Sequence, residues 1–212
     1  MLLLSGCGAE AKGSPQRQTA ASPPPVSTPV LSGRRRYRGT PTLGSAVASD
    51  FTLPDQTGRP VRLSDERGRI VLITFLYTRC PDVCPLIAEN INKALLELGP
   101  RRRSVRVLAI SVDPVHDTRV AVQDYVTEHH LVAQFHYLIG TASELKPVWQ
   151  SYNVLIETRS LERVSHSTYV LLIDGAGRPR LYYPAAVTAA DLLHDLRLYV
   201  KTLPGGRRAP RS

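Results

Sequence analysis

The longest hydrophobic stretches of the chain are two nearly continuous apolar runs, at positions 70–77 (IVLITFLY) and 105–112 (VRVLAISV). Runs of this kind, without regular polar alternation, predict strands that are buried on both faces of a sheet. Between them, apolar residues recur at helical spacing and stop at a Gly-Pro pair: Ile87, Ile91, Leu95 and Leu98, then Gly99 and Pro100. A strand, a helix and a strand in this order predict a parallel pair joined by a right-handed crossover.

Further helices and a strand are predicted in the second half of the chain. Positions 120–130 favour a helix, and positions 135–139 favour a short strand. Thr141 and Glu144 have the spacing of a capping box, which predicts that another helix begins there. Thr188 is predicted to cap a last helix, which carries one apolar face formed by Leu192, Leu193, Leu196 and Val200.

Two hairpins complete the predicted order of elements. Positions 168–173 and 179–183 flank a turn cluster of Asp and Gly residues, which predicts an antiparallel hairpin. Positions 51–53 and 61–63 predict another hairpin upstream. The order of elements therefore predicts an α/β fold of the thioredoxin-like sandwich type, with a central mixed sheet flanked by helices and an added N-terminal β-hairpin.

Composition predicts one globular domain between two tails. The chain has 212 residues, of which 42% are hydrophobic and 21% charged, and it contains no apolar stretch of about 18 residues that could span a bilayer. Residues 7–45 are rich in Pro and Arg and poor in bulky apolar side chains, so we expect a disordered tether there. We expect the folded domain at 46–203 and a disordered basic tail at 204–212.

The formal net charge of +9 lies in these tails. Residues 1–45 carry a net charge of +5 and residues 201–212 a net charge of +4, so the remainder is balanced. A nucleic-acid-binding protein needs a basic face on its folded domain. The charge distribution therefore argues against a nucleic-acid partner.

The start of the chain carries a candidate anchor. Leu-Ser-Gly-Cys at positions 4–7 looks like the lipobox of bacterial lipoproteins, in which signal cleavage leaves a lipid-bearing cysteine. On this interpretation residues 1–6 are a truncated remnant of a lipoprotein signal, and Cys7 anchors the chain to a membrane. The alternative is a cytosolic chain in which Cys7 is an incidental thiol.

The segment CPDVCP at 80–85 carries the candidate chemistry, because it follows a buried strand and begins a helix. We expect Pro85 at the first helical position, where its missing N–H costs nothing. A helix N-terminus favours negative charge, so at least one of Cys80 and Cys84 should ionise readily. Thiolates serve both metal binding and disulfide exchange, and a plain structural disulfide is a further alternative.

A histidine is the candidate third ligand. His166 directly precedes the hairpin strand that, in a thioredoxin-like arrangement, runs beside the strand carrying the cysteine loop. Two sulfurs and one imidazole form a soft ligand set, which favours Cu(I), zinc or iron–sulfur clusters over hard ions. Copper tolerates three ligands, whereas structural zinc usually needs four. We expect four of the other histidines to be non-liganding: His129, His130, His136 and His194.

At these residues the sequence resembles the Sco/SenC family of thioredoxin-like copper chaperones. The resemblance runs from Phe51 to Tyr199 and rests on motifs in a fixed order: FLYT before CPDVCP, then SVDP with Asp117-Thr118, then His166-Ser167 with Tyr169. It implies that Cys80, Cys84 and His166 bind copper, as Cu(I) or Cu(II), and that the cysteines can cycle through a disulfide. It also implies that Asp113 and Asp117 lie near the site, where they either orient the ligands or cap local structure.

Three positions depart from the family pattern. Leu76 stands where glycine is usual, Arg79 where a small residue is usual, and His116 where arginine is usual. None of these removes an expected ligand, so the departures bear on partner recognition and redox properties. His116 could replace the charge of the usual arginine, and the alternative is that it serves as a fourth ligand. Arg79, beside the first cysteine, would further favour its thiolate.

The expected function is that of an extracytoplasmic, membrane-anchored lipoprotein, in the periplasm or on the outer face of the cell membrane. It would deliver copper to the copper-binding subunit of cytochrome c oxidase, and another copper donor or a thiol reductase could serve it as a partner. The alternative is a thiol-disulfide oxidoreductase that reduces the oxidase cysteines or another target. A weaker third alternative is reduction of peroxides, since thioredoxin-like folds also host that chemistry.

Overall fold

The structure, a computed structural model, describes residues 36–160 and 163–204, without the side chains of 157–165. A six-stranded sheet forms its centre, in the order β1-β10-β9-β4-β5-β6. The strands are β1 (Thr40–Pro41), β2 (Thr52–Pro54), β3 (Pro60–Arg62), β4 (Ile70–Leu76), β5 (Val105–Ser111), β6 (Phe135–Leu138), β7 (Ile156–Ser160), β8 (Arg163–His166), β9 (Tyr169–Ile173) and β10 (Pro179–Pro184). The helices are α1 (Val83–Leu98), α2 (Arg119–Glu128), α3 (Ala142–Ser151) and α4 (Ala189–Tyr199).

The parallel half of the sheet confirms the predicted strand–helix–strand unit. Strand β4 pairs in parallel with β5, from Ile70 opposite Val105 to Leu76 opposite Ser111, and β5 pairs in parallel with β6. All seven residues of β4 are buried, as a strand covered on both faces requires. Helix α1 connects β4 to β5, so the segment that leaves the carboxyl end of β4 leads directly into a helix N-terminus.

The antiparallel half brings the chain back beside β4. Strands β9 and β10 form the predicted hairpin, and β9 pairs with β4 antiparallel. Thr141 and Glu144 form both reciprocal bonds of the predicted capping box at the start of α3. Thr188 caps α4, and its hydroxyl accepts a hydrogen bond from the Asp191 N–H. The fold is the expected α/β sandwich with a mixed central sheet.

Two small hairpins lie outside the central sheet. The predicted upstream hairpin is present as β2 and β3. The second hairpin, β7 and β8, was not predicted, and it places Ile156 opposite His166. The segment before β9 therefore approaches the end of β4 as half of a hairpin.

The folded part begins earlier than the expected boundary at residue 46. Strand β1 pairs with β10, with Thr40 opposite Tyr182, and the Arg38 and Gly39 amides donate to the carboxylate of Asp195. This segment is poor in apolar residues and is held by main-chain and carboxylate hydrogen bonds, which no hydrophobic pattern signals. Contacts with the folded domain thus begin at Arg38, eight residues before the expected boundary at 46.

The expected anchor at Cys7 and the residues of the basic tail from 205 onward lie outside the described residues. No helix in the described part of the chain has the length and apolar character needed to cross a membrane.

Candidate metal centre

The cysteine loop lies at the carboxyl end of β4, directly before α1. Asp82 caps the helix, with its side chain accepting from the Val83 N–H, so Val83 is the first helical residue. Pro85 is consequently the third helical residue and not the first, which corrects the sequence expectation. A proline is tolerated at this position as well. The first four N–H groups of a helix have no intrahelical acceptor, so the missing N–H of Pro85 removes no helical hydrogen bond.

The two cysteines of this loop are free thiols, and both are buried. The Cys84 N–H points at the sulfur of Cys80, with 3.4 Å between nitrogen and Sγ. The hydrogen bond from the Cys84 thiol lowers the pKa of Cys80 to about 6, against the effect of burial, and the backbone N–H groups of Asp82 and Cys84 assist. The same hydrogen bond, together with burial, raises the pKa of Cys84. The pair therefore holds one ready thiolate and one retained thiol.

His166 lies close to this cysteine pair at the same end of the sheet. It is the last residue of β8, and its Nδ1 lies 3.0 Å from the carbonyl oxygen of Ser167. Because a carbonyl only accepts, Nδ1 carries the proton and Nε2 presents a lone pair. That Nε2 lies 4.0 Å from the Sγ of Cys84. Burial lowers the pKa of His166, which keeps the imidazole neutral as a metal ligand requires.

The observed spacing is close to what a shared soft ion needs. Bond lengths of about 2.3 Å to sulfur and about 2.0 Å to nitrogen, at a trigonal angle, separate the two ligand atoms by about 3.7 Å. Within the described residues, no three His, Cys, Asp or Glu side chains are already arranged to hold a metal. The three candidate ligands thus converge without forming a closed set, and binding has to draw them closer together.

Tyr77 links two of the candidate ligands and was not singled out from the sequence. Its ring meets the His166 ring edge to face, with 5.8 Å between centroids. Burial, and then the charge of Cys80 and a hydrogen bond to it, raise the pKa of Tyr77 to about 12. Its position directly before the cysteine loop was the available signal, but an aromatic at the end of a buried strand is ordinary core.

Asp117 accepts hydrogen bonds from the segment that leads into the cysteine loop. Its Oδ1 accepts from the N–H of Thr78 at 2.9 Å and from the Thr78 hydroxyl at 2.7 Å. Its Oδ2 accepts from the Ser111 hydroxyl at 2.6 Å and from the Tyr137 hydroxyl at 3.3 Å. Burial raises the pKa of this carboxyl. The side chain holds the chain two residues before Cys80, which is a positioning role.

Asp113 is engaged elsewhere. Its Oδ2 lies 2.7 Å from the Nδ1 of His116, and its Oδ1 accepts from the His116 N–H. Neither residue is within hydrogen-bonding distance of the cysteines or of His166 in the described contacts. Three of the remaining histidines also have partners of their own: His129 with Glu89, His136 with Asp55, and His194 with the Arg36 carbonyl.

Comparison with known proteins identifies the relatives of this chain. The sequence profile of the SCO1/SenC family matches residues 39–201. The chain belongs to the SCO1/SenC family. This membership confirms the resemblance drawn from the motifs around Cys80 and Cys84, and it agrees with the thioredoxin-like fold.

Individual relatives share roughly a quarter to a third of their residues with this family member. The mitochondrial SCO2 homolog of Bos taurus is 32% identical over 176 residues, covering 79% of this chain and 65% of the relative, just under two thirds of its length. The structure of Bradyrhizobium japonicum ScoI with copper bound is similar at 30% identity and a TM-score of 0.65, covering 73% of this chain and 99% of that one.

A third comparison concerns the fold and the description of the family. BsSco, at 22% identity and a TM-score of 0.63, covers 73% of this chain and 94% of its own. At that identity the likeness shows the fold alone. It is described as a member of the Sco family of cytochrome c oxidase assembly proteins, with a disulfide switch.

Proposed function

We propose that this chain is an extracytoplasmic copper chaperone that binds copper through Cys80, Cys84 and His166 and delivers it to the copper centre of cytochrome c oxidase. One observation carries the proposal. The lone-pair nitrogen of His166 lies 4.0 Å from the Cys84 sulfur, although the two residues are 82 positions apart.

The donor chemistry suits copper. Two sulfurs and a neutral imidazole are soft or borderline ligands, and they favour copper over hard cations. Cys80 supplies a thiolate near neutral pH, because its pKa is lowered to about 6. Cys84 has a raised pKa, so copper has to displace the proton of this thiol when it binds. Uptake of copper should therefore release protons, and a three-ligand site leaves room for a partner's ligand during transfer.

The location and partners complete the proposal. A lipid on Cys7 would anchor the chain to a membrane in the periplasm or on the outer face of the cell. The receiving partner is the copper-binding subunit of the oxidase, and a second copper donor or a thiol reductase would load the site or keep it reduced. The structure of the related ScoI with copper bound supports copper as the metal that is delivered.

A copper titration of the reduced full chain tests the ligand set. X-ray absorption on the loaded protein should show one copper per chain with two sulfur neighbours and at least one nitrogen. A Cys80→Ser, Cys84→Ser double variant should bind no copper at this site. A spectrum without sulfur neighbours in the unsubstituted protein would overturn the proposal.

The different acidities of the two thiols favour a second candidate function, thiol-disulfide oxidoreductase. The Cys80 thiolate would attack a substrate disulfide, form a mixed disulfide and release one substrate sulfur, which takes up a proton. Cys84 would then lose its proton to solvent, attack the Cys80 sulfur and release the second substrate thiol. The substrate gains two electrons, and an external dithiol must reduce the Cys80–Cys84 disulfide that remains.

An insulin-reduction assay separates the two candidates. The oxidoreductase should reduce insulin disulfides with a dithiol as electron source, at a rate that depends on both cysteines and not on His166. The copper chaperone needs no such turnover. A rate no higher than that of the dithiol alone would leave copper transfer as the function.

A further inference from the structure

Basic and acidic residues are distributed unequally between the two ends of the central sheet. Because β4 and β5 are parallel, their carboxyl ends carry the cysteine loop and their amino ends lie at the opposite edge. That opposite edge is formed by segments 65–69, 99–106, 174–180 and 201–204, here called the basal edge. Contacts join these segments: Gly68 N–H donates to the Gly175 carbonyl at 2.9 Å, and Leu203 lies against Gly175.

The basal edge is strongly basic. Its four segments contain nine Arg and Lys residues and three Asp and Glu residues, a net charge of +6. Glu66 pairs with Arg69 and Arg106, and Asp174 pairs with Arg180. Within the described part of the chain, the other six cations form no ion pair: Arg67, Arg101, Arg102, Arg103, Arg178 and Lys201. All six are exposed except Arg102, which is half-buried.

The edge that carries the candidate metal centre has the opposite sign. The loops of this edge whose side chains the structure describes contain four basic and six acidic residues; they are 55–59, 77–82, 112–119, 139–146 and 184–191. The domain therefore has a balanced total charge, but one edge of it is basic and the other is acidic. Such a distribution orients a protein in an external field even when its total charge is small.

Complementing the dipole of α1 does not account for the basal edge. Arg101, Arg102 and Arg103 follow the C-terminal end of that helix, where a cation is favourable. The partial charge at a helix end is about half an elementary charge and acts within one turn, so a single cation would satisfy it. Arg67, Arg178 and Lys201 lie on other segments, which this effect does not reach.

We infer that the basal edge binds anionic lipid headgroups and thereby holds the metal-bearing edge away from the bilayer. This rests on the membrane attachment in the proposed function. Cys7 and Arg36 are 29 positions apart, and an extended chain covers up to about 3.5 Å per residue, so attachment alone allows either edge to face the membrane. Each basic residue near an anionic surface strengthens binding about fivefold, which lets the basal edge decide the orientation.

One further observation favours lipid headgroups over a single-stranded nucleic acid. The large hydrophobic side chains that are exposed in the described residues lie elsewhere, so the basal edge offers no aromatic platform on which bases could stack.

A vesicle-binding experiment tests the inference independently of copper. The full chain carrying Cys7→Ser, which cannot be lipidated, is mixed with phosphatidylcholine vesicles with or without phosphatidylglycerol, at low and at physiological salt. The protein should bind the anionic vesicles alone, and more weakly as salt increases. Replacing Arg101, Arg102 and Arg103 by Gln should weaken binding at least about tenfold. The matched variant, with Arg59, Arg119 and Lys146 replaced by Gln, removes the same charge from the other edge and should change binding less than about twofold.

Equal weakening in the two triple variants would overturn the inference, because total charge would then explain binding. Binding to duplex DNA without binding to anionic vesicles would overturn it as well. If the first triple variant does not fold, an Arg178→Gln, Lys201→Gln double variant makes the same comparison. Copper titration of each variant should match the unsubstituted protein, so a failure of vesicle binding is distinguishable from a failure of the metal site.

Discussion

The Nε2 atom of His166 and the Sγ atom of Cys84 lie 4.0 Å apart, with the nitrogen lone pair facing the sulfur. Replacing His166 by Ala should therefore lower copper affinity by at least about a hundredfold, since losing a ligand costs more than losing a residue that merely orients one. Competition with a copper chelator measures the affinity. Cys80 and Cys84 should still form their disulfide in this variant, because neither thiol depends on the imidazole.

His194→Ala is the matched control for this prediction. That ring bonds the Arg36 carbonyl and takes no part in the cysteine loop, so copper affinity should stay within about twofold of the unsubstituted protein. Unchanged affinity in the His166 variant would remove the imidazole from the ligand set and favour the oxidoreductase function.

The acidity of Cys80 makes the thiol reactive below neutral pH. Its pKa is lowered to about 6, so the rate of iodoacetamide alkylation should rise through that pH and level off above it. Cys84, with its raised pKa, should stay unmodified over the same range. Mass spectrometry of the reduced, copper-free protein identifies the modified residue at each pH.

A Cys84→Ala variant checks the cause of this acidity. The hydrogen bond from the Cys84 thiol is the largest influence on Cys80, so its loss should move the alkylation curve to higher pH. Tyr77→Phe removes a weaker hydrogen bond and should move the curve less. A curve that stays near pH 6 in both variants would show that the helix N-terminus alone lowers the pKa.

The strands and helices that contact the core were predictable because their apolar periodicity is dictated by burial. The run in β4 and the apolar face of α1 are of this kind, and capping residues such as Thr141 marked helix starts. The position of His166 beside the cysteines was predictable as well, but only through the expected fold. Spacing in the sequence alone does not join residues 82 positions apart.

The features that were missed depend on long-range polar contacts. Strand β1 is held by Asp195, 156 positions from Gly39, and neither residue is distinctive in the sequence. The hairpin of β7 and β8 has no strong alternation of apolar and polar residues. Asp113 and Asp117 could not be told apart, because the choice of partner, His116 or Thr78, is decided only when the loop folds.

Asp117 should make the stability of the protein fall as pH rises. Burial raises the pKa of this carboxyl above its usual value, so the folded state binds its proton more tightly than the unfolded state does. Its stabilising contribution is then complete at low pH and is lost as pH rises through the raised pKa. Urea unfolding of the unsubstituted protein and of Asp117→Asn, compared from about pH 4 upward, measures this contribution.

The difference in unfolding free energy between the two proteins should shift in favour of Asp117→Asn with increasing pH. Asp124→Asn, a change at an exposed position, should follow the unsubstituted protein at every pH. A pH-independent difference would mean that Asp117 keeps one protonation state throughout.

Asp195 holds the start of the folded chain in place by hydrogen bonds, and replacing it should release that segment. The carboxylate is fully buried and accepts from the amides of Arg38 and Gly39 and from the Tyr183 hydroxyl, at 2.8 to 3.0 Å for its shortest bond to each. Asp195→Ala leaves these three donors without an acceptor, so we expect a loss of about 3 kcal/mol in unfolding free energy. Hydrogen exchange should also become faster at Thr42, whose amide donates a hydrogen bond to the Arg180 carbonyl of β10. Asp124→Ala should change neither the stability nor the exchange rate. A loss of stability without faster exchange at Thr42 would show that β1 stays paired without the hydrogen bonds of Asp195.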